Sequence, residues 1–577
     1  MISYHFPRSL RVLIVAFWLC FSSVARAQTT LPPETENRLR ALLSDPRFAD
    51  AQIGVCVENL GVVENAQSFP SQNPDAPQSD VPQSDVPQSD VPQSDVPQSD
   101  VSQSDVPQSD VPQSDVPQSD APPMLFSQNV DKRFLPASNM KLFTASIALE
   151  SLGENRTFAT CVARSSTRSK SLYLIGGGDP SLTIADLRNL AQAVRKSGIK
   201  KVNGVFADAS LFGADSFGGR YPDGWTLDDA LWYYGPEVSA LALERNQIDI
   251  TITGTEVGKA PRVEVSPQLA GFDLKEIVCE VRTVAKPTVP ITFDRADGKS
   301  AIGAKLWVRG EIAPAQVVTE GVAIPNVAEV VAQTFARELR AAGVRVRGKI
   351  GAQTLPNAPH SVIAQHESAP LKTLVQRFLK KSDNLYGEMF LRAAGTFPNA
   401  NANANANATS STRSDGGGLN VGSTSSESVS NGVSSLGAAR AGHLELLRWL
   451  QSQKVSTASL RLSDGSGLSR YNLLTPRAIV ELLRVENTHN RRAFWDALPI
   501  AGVDGTLANR MKNTAAQNNA RAKTGTFSIA SCLSGFVTTR DNRRLAVSVL
   551  TNFVRDGNQA RRLQNDIFVA LADASWK

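Results

Sequence analysis

Alternation of apolar and polar positions is clearest near the carboxyl end of the chain. Residues 532–538 and 545–553 alternate on either side of a turn at 539–543, which predicts two adjacent antiparallel strands. Residues 523–527, followed by apolar alternation through Phe536, predict an inner strand beside them. Nearer the amino end, 52–59 and 124–129 read as strands. A continuous apolar run at 142–149 follows Pro136-Ala137-Ser138 and stops near Gly153, as a buried helix would. Helical periods recur at 184–196, 327–342 and 558–574, and short strands are predicted at 171–175, 247–252, 262–265 and 305–308. The pattern predicts an α/β unit assembled from both ends of the chain, residues 28–160 and 359–577. β-rich inserted domains occupy 161–358.

Two segments carry no such pattern. Gln-Ser-Asp recurs nine times from Gln78 to Asp120, mostly joined by Val-Pro, within a low-complexity stretch at 77–122. Proline in nearly every repeat and uniform negative charge leave nothing to pack, so this stretch is expected to be a disordered, overgrown hairpin loop. A second stretch, 399–435, starts with alternating Asn-Ala and continues in Ser, Thr and Gly, as a loop between two helices. Long polar insertions of this kind cost a surface loop little entropy.

Residues 1–27 read as an export signal. Arg8 and Arg11 precede an apolar run, and Ala25-Arg26-Ala27 supplies the small residues of a cleavage site, so Gln28 begins the mature chain. The run is short for a membrane span, and Cys20 within it lacks a convincing lipidation box, which favours a free, exported product with no stable transmembrane anchor. Cleavage lowers the formal charge from +5 to +2, and setting aside the nine repeat aspartates leaves +11 on the remainder. That balance suits either an anionic polymer such as cell wall or an ordinary solvated basic surface. No nucleic-acid partner is expected. Cys56, Cys161, Cys279 and Cys532 allow three disulfide connectivities, among which the sequence does not choose. No metal-ligand spacing is present, so neither a metal nor another cofactor is expected.

The candidate chemistry lies in three strings in a fixed order: Ser138-Asn-Met-Lys141, Ser382-Asp-Asn384 and Lys523-Thr524-Gly525. On a helix, Lys141 projects from the same face as Ser138 and reaches its oxygen. Ser138 is expected at the positive end of that helix. Partial burial and a neighbouring cation, for which Lys523 is the candidate, lower the Lys141 pKa enough to free a base. A second Ser-x-x-Lys at Ser197-Gly-Ile-Lys200 fails on context, because Gly198 ends its helix.

Taken together the strings resemble the penicillin-recognising serine enzymes, and more narrowly the D-alanyl-D-alanine carboxypeptidase/endopeptidase family of penicillin-binding protein 4 type. Gly176-Gly-Gly-Asp-Pro-Ser-Leu182, Asp464-Gly-Ser-Gly-Leu-Ser-Arg470-Tyr-Asn472 and Gly502-Val-Asp-Gly-Thr506 resemble segments of that family in their proper order. Ser138 and Ser382 lie 244 residues apart, which matches its large insertion. The resemblance implies a penicillin-binding/transpeptidase-like α/β (α+β) catalytic domain with inserted β-rich domains, acting in the periplasm on peptidoglycan stem peptides. It implies Ser138 as nucleophile, Lys141 as base, Ser382 as proton carrier and Asn384 as the group orienting the substrate amide. Lys523 would hold the terminal carboxylate with Thr524 and Thr526, Gly525 belonging to the same subsite, and the backbone amides of Ser138 and Thr526 would form the oxyanion hole. Arg470 would meet a stem carboxylate, with Asp229 and Tyr234 near the substrate amine. Asp229 has an alternative reading as a helix cap and Tyr234 as a core residue. Ser528 stands where related proteins place a glutamine. β-Lactam antibiotics would acylate the same serine.

Other readings fit less well. A β-lactamase would be about half this length, judging by that family, and a Ser-His-Asp hydrolase needs a Gly-x-Ser-x-Gly elbow that is absent. A catalytically idle cell-wall binding scaffold is the alternative from another class, but it has no need of Ser138, Lys141, Ser382, Asn384 and Lys523 together. The sequence leaves open the oligomeric state and the balance of carboxypeptidase and endopeptidase work.

Overall fold

The computed structural model describes residues 30–63, 124–165, 170–213, 220–271, 277–295, 305–397 and 437–576. The export signal with Cys20, the pentapeptide array and the Asn/Ser-rich stretch lie outside the described residues.

The principal sheet joins the two ends of the chain. Its strands are β1 (Gln52–Val62), β2 (Met124–Gln128), β3 (Arg521–Phe527), β4 (Ala530–Thr538) and β5 (Arg543–Asn552), in the order β3-β4-β5-β1-β2. All neighbours are antiparallel. β1 and β2, the strands that flank the pentapeptide array, pair with each other, and β4 pairs with β5 across the turn read from the sequence. Both faces are covered. Cys532 and Phe536 of β4 enter one apolar core, whereas Leu533 and Val537 enter another, as the two-residue period of a strand requires. The second core is closed by α1 (Pro33–Leu43) and, at the carboxyl end, helix Gly557–Asp573.

The first core belongs to a helical layer made of α2 (Met140–Leu152), α3 (Leu371–Lys381), α4 (Asn384–Thr396), α5 (Ala438–Ser452), α6 (Pro476–Thr488) and α7 (Arg492–Ala497). The amphipathic helix Gly557–Asp573 on the other face is therefore α8. α2 is buried at 12 of its 13 positions, which explains why its sequence is apolar all round instead of striped.

Residues 159–367 carry three further sheets. Strands Ala159–Ser165, Leu172–Ile175, Lys201–Asp208, Arg345–Ala352 and His360–Glu367 form a mixed five-stranded sheet that shares its core with helices Ile184–Lys196 and Val327–Ala341. Two three-stranded sheets come from Gln247–Thr253, Arg262–Ser266 and Val317–Ala323, and from Ile277–Thr283, Thr292–Arg295 and Leu306–Ile312. One apolar cluster, including Leu190, Val205, Ile250, Val308 and Phe335, is shared by all three. Helix Ile184–Lys196 stops before Ser197, and Gly198 adopts φ +88°, so Ser197 and Lys200 lie not on one helix face, nor on different elements as read, but together in the connection to strand Lys201–Asp208. Cys56, Cys161, Cys279 and Cys532 are free thiols.

Candidate active site

The turn that presents Ser138 is not the first turn of α2, as the helix-start reading required. Ala137 takes φ 45° and residues Ala137–Asn139 make a single 3₁₀ turn before α2 begins at Met140. A non-glycine residue in the left-handed region is strained and persists only where its surroundings hold it. Here they do. Asn552 on β5 receives the Leu135 N–H at 2.8 Å and donates to the Leu135 carbonyl at 3.2 Å. Asn139 donates to the Lys523 carbonyl at 3.3 Å, tying the turn to β3. β3 passes so close that a Cβ on Gly525 would sit 2.9 Å from both the Pro136 carbonyl oxygen and the Ser138 nitrogen. Below the turn, a Cβ on Gly467 would lie 1.9 Å from the Ala137 carbonyl oxygen. Glycine at these two positions lets the edge strand and the 464–472 loop clasp the serine from either side.

Two buried lysines connect the three strings. Lys141 Nζ lies 2.9 Å from Ser138 Oγ, 2.6 Å from Asn384 Oδ1 and 2.6 Å from the Ser466 carbonyl oxygen. Lys523 Nζ donates to Ser382 Oγ at 2.9 Å and to the Thr524 carbonyl at 2.9 Å. Ser382 is the left-handed cap (φ 60°) that ends α3, and Asp383 caps the start of α4. This corner directs Ser382 to one lysine and Asn384 to the other. Asn384 also donates to the Tyr234 carbonyl at 2.6 Å, which fixes its amide so that Oδ1 faces Lys141.

Burial draws the Lys141 amine down to about 8, against the opposing pull of Asp464, Asp383 and Glu388. Lys523 also falls well below the ordinary lysine value, first through burial and then through the charge of Lys141. The sequence reading gave burial and the Lys523 charge together as what lowers Lys141. Burial has that role, whereas the repulsion between the lysines bears on Lys523.

Thr524 Oγ1 donates to Thr506 Oγ1 at 2.8 Å, and Thr526 is exposed farther along β3. Arg470 pairs with the buried carboxylate of Asp229, and its guanidinium lies 5.3 Å from the Phe527 ring centre. Asp229 also accepts the Thr226 N–H at 2.8 Å, a local capping contact in addition to the ion pair. Tyr234 is half-buried, and burial and Asp229 push its phenol up to about 12. Trp225 Nε1 donates to Asp464 Oδ2 at 2.9 Å, and the Asp223 carbonyl accepts from Ser463 and Ser469. The 223–229 segment of the inserted region is thereby fastened to the 463–470 loop.

All eleven site residues singled out from sequence stand along β3, the Ser138 turn, the start of α2, the α3–α4 corner or this rim. The sequence reading missed Ser466 as an acceptor for Lys141, and it missed Glu388. Glu388 is fully buried and accepts the Gly465 and Ser466 N–H groups at 2.9 and 2.8 Å. Its signal was present in the Glu388-x-x-x-Arg392 pair of an otherwise apolar helix.

A family model for the D-Ala-D-Ala carboxypeptidase 3 (S13) family matches residues 113–425 and 426–574. D-alanyl-D-alanine carboxypeptidase of Actinomadura sp. strain R39 is 32% identical over 469 residues, covering 78% of this chain and 79% of that protein. D-alanyl-D-alanine carboxypeptidase DacB of Haemophilus influenzae is 25% identical over 438 residues, covering 74% and 81%. The crystal structure of penicillin binding protein 4 from the same organism superposes with a TM-score of 0.67 at 21% identity, covering 92% of this chain and 97% of that one. At that identity it shows a shared fold.

Proposed function

This chain belongs to the D-Ala-D-Ala carboxypeptidase S13 family of serine-type peptidases, and on that premise we propose that it works through an acyl-enzyme on Ser138. The observation that carries the proposal is the set of partners around Lys141. A neutral amine has two N–H donors and one lone pair. Asn384 Oδ1, whose amide is oriented by Tyr234, and the Ser466 carbonyl take both donors, which leaves the lone pair for the Ser138 hydroxyl. An ammonium would spend its third N–H on the oxygen that has to lose a proton.

Neutral Lys141 takes the Ser138 proton as Oγ bonds to the carbonyl carbon between two D-alanines. The C–N bond then breaks. The proton reaches the leaving amine through Ser382, and D-alanine departs. Water releases the acyl group and restores the serine. The Ser138 and Thr526 amides form the oxyanion hole, which the close approach of β3 at Gly525 supports. Lys523 has two of its three N–H groups engaged by Ser382 and Thr524, and the third meets the terminal carboxylate beside the Thr524 and Thr526 hydroxyls.

Peptidoglycan stem peptides are the substrate class. Asp229 and Tyr234 read an amine on the stem, and the exposed part of Arg470 reads a carboxylate. A cross-link amide between D-alanine and a diamino acid presents the same chemistry, so endopeptidase action belongs to the same site. β-Lactams acylate Ser138, in keeping with the H. influenzae penicillin binding protein 4 crystallised with a β-lactam, which shares the fold with a TM-score of 0.61. The enzyme is exported to the periplasm. None of the described helices is long and apolar enough to cross a membrane.

The test is D-alanine release from a stem peptide ending in D-Ala-D-Ala. Wild type releases it and folded Ser138→Ala does not; release by that variant contradicts the proposal.

A further inference from the structure

α4 is buried at 12 of its 13 positions, yet it carries an ion pair, with Arg392 Nη1 donating to Glu388 Oε2 at 3.0 Å. The pair is shielded from solvent, with side-chain exposures of 0% for Glu388 and 4% for Arg392. An apolar pair of similar volume is often as stable as a buried ion pair or more so, so stability alone is a weak reason for this one. Its other contacts point to the Ser138–Lys141 centre. Glu388 Oε1 accepts two consecutive backbone N–H groups, those of Gly465 and Ser466. Thr144 of α2 holds the Gly465 carbonyl at 2.6 Å, so the peptide between residues 465 and 466 is clamped at both ends. In the next peptide the Gly467 N–H goes to Asp464 Oδ1 at 2.7 Å, and the Ser466 carbonyl accepts from Lys141.

We propose that Glu388 is a positioning residue for the base: it fixes the turn at Ser466 whose carbonyl orients Lys141, and its charge sets how readily that amine is protonated. The inference rests on the role of Lys141 given above. The groups facing Lys141 are Asp383, which caps α4, Glu388 of α4, Asp464 of the loop and Lys523 of β3. Those facing Glu388 are Arg392 on its own helix, Asp464 and Lys141 itself. His443 of α5 reaches the backbone of Asp464, with its Nε2 3.3 Å from the carbonyl. Burial and the Asp464 charge push Glu388 up to about 7.

Two substitutions separate reach from charge. Glu388→Asp keeps the carboxylate and withdraws it by one methylene from the two N–H groups; Glu388→Gln keeps the length and removes the charge. The readout is the rate of benzylpenicillin acylation across pH, with thermal unfolding alongside. Glu388→Asp is expected to acylate roughly 10- to 100-fold more slowly, as a displaced catalytic group does, with its acid-limb midpoint near that of wild type. Glu388→Gln is expected to move that midpoint to lower pH, because Lys141 loses an anion that favours its ammonium form. Wild-type acylation by Glu388→Asp overturns the inference. So does a Glu388→Gln enzyme that is less stable with its midpoint unmoved, because that is a folding role only. If Glu388→Gln does not fold, Glu388→Asp decides. A wild type that takes no penicillin contradicts the acyl-enzyme itself, and that failure is visible before either variant is made.

Discussion

If Lys141 is the base, the rate of acylation follows the fraction of its amine that is neutral. With the amine drawn down to about 8 by burial, that fraction is about 1% at pH 6, about 9% at pH 7 and about half at pH 8. An ordinary lysine would be about 0.03% neutral at pH 7, so burial raises the supply of base roughly 300-fold. The second-order rate of Ser138 acylation should therefore climb about tenfold per pH unit between 5 and 7 and level off above 8, since this rate reports the free enzyme. Lys523 holds the substrate carboxylate only while protonated, and burial and the charge of Lys141 bring the loss of that proton below the ordinary lysine range. Lys141→Arg keeps a donor but never yields a base, and should lower the plateau about 10²- to 10⁴-fold. Stopped-flow acylation with a chromogenic β-lactam from pH 5 to 10 measures all of this. A rate that stays flat from pH 5.5 to 8.5, or a Lys141→Arg enzyme of near wild-type speed, would refute the reasoning.

Three further outcomes are expected. Gly525→Ala puts a methyl 2.9 Å from Pro136 O and Ser138 N and 3.0 Å from Ala137 Cβ; relief by a shift of the strand or the turn should cost about 1–3 kcal/mol in unfolding free energy and slow acylation about 10²-fold, measured by denaturation and by penicillin uptake. Asp229→Asn should slow hydrolysis of stem peptides with a free amine while sparing a small D-Ala-D-Ala ester that lacks it; equal loss on both substrates would place Asp229 outside stem recognition. Arg484→Met strands Glu58, a β1 carboxylate with 1% of its side chain exposed that Arg484 holds at 3.1 Å, and should destabilise the fold by about 3–5 kcal/mol at pH 7. Burial already raises the Glu58 pKa, so this loss should shrink as pH falls and the stranded carboxylate takes up a proton, as urea melts at pH 5 and 7 would show.

The parts of the site legible in the sequence were those whose chemistry is local. Ser138 and Lys141 share one turn of backbone, Gly153 ends α2 as read, and the strands around the turn at 539–543 announce themselves by alternation. What escaped depends on residues brought together from far apart. The acceptor for Lys141 is a backbone carbonyl 325 residues away, and a carbonyl has no sequence signature. Glu388 meets Gly465 and Ser466 from 77 and 78 residues away. The left-handed Ala137 gave no warning either, since alanine in that region is a product of the clasp by Gly525 and Gly467. Strand His360–Glu367 was missed because all of its residues are exposed or half-buried and show no two-residue period, whereas Arg345–Ala352 alternates Arg345, Arg347 and Lys349 with Val346, Ile350 and Ala352 and was legible but not read.

The most direct test of the acyl-enzyme is the intact mass of the mature protein after exposure to benzylpenicillin, with Ser138→Ala alongside. The account predicts one penicilloyl adduct on wild type, mapped to Ser138, and none on the variant. A folded wild type of unchanged mass, or an adduct that persists in Ser138→Ala, would contradict it.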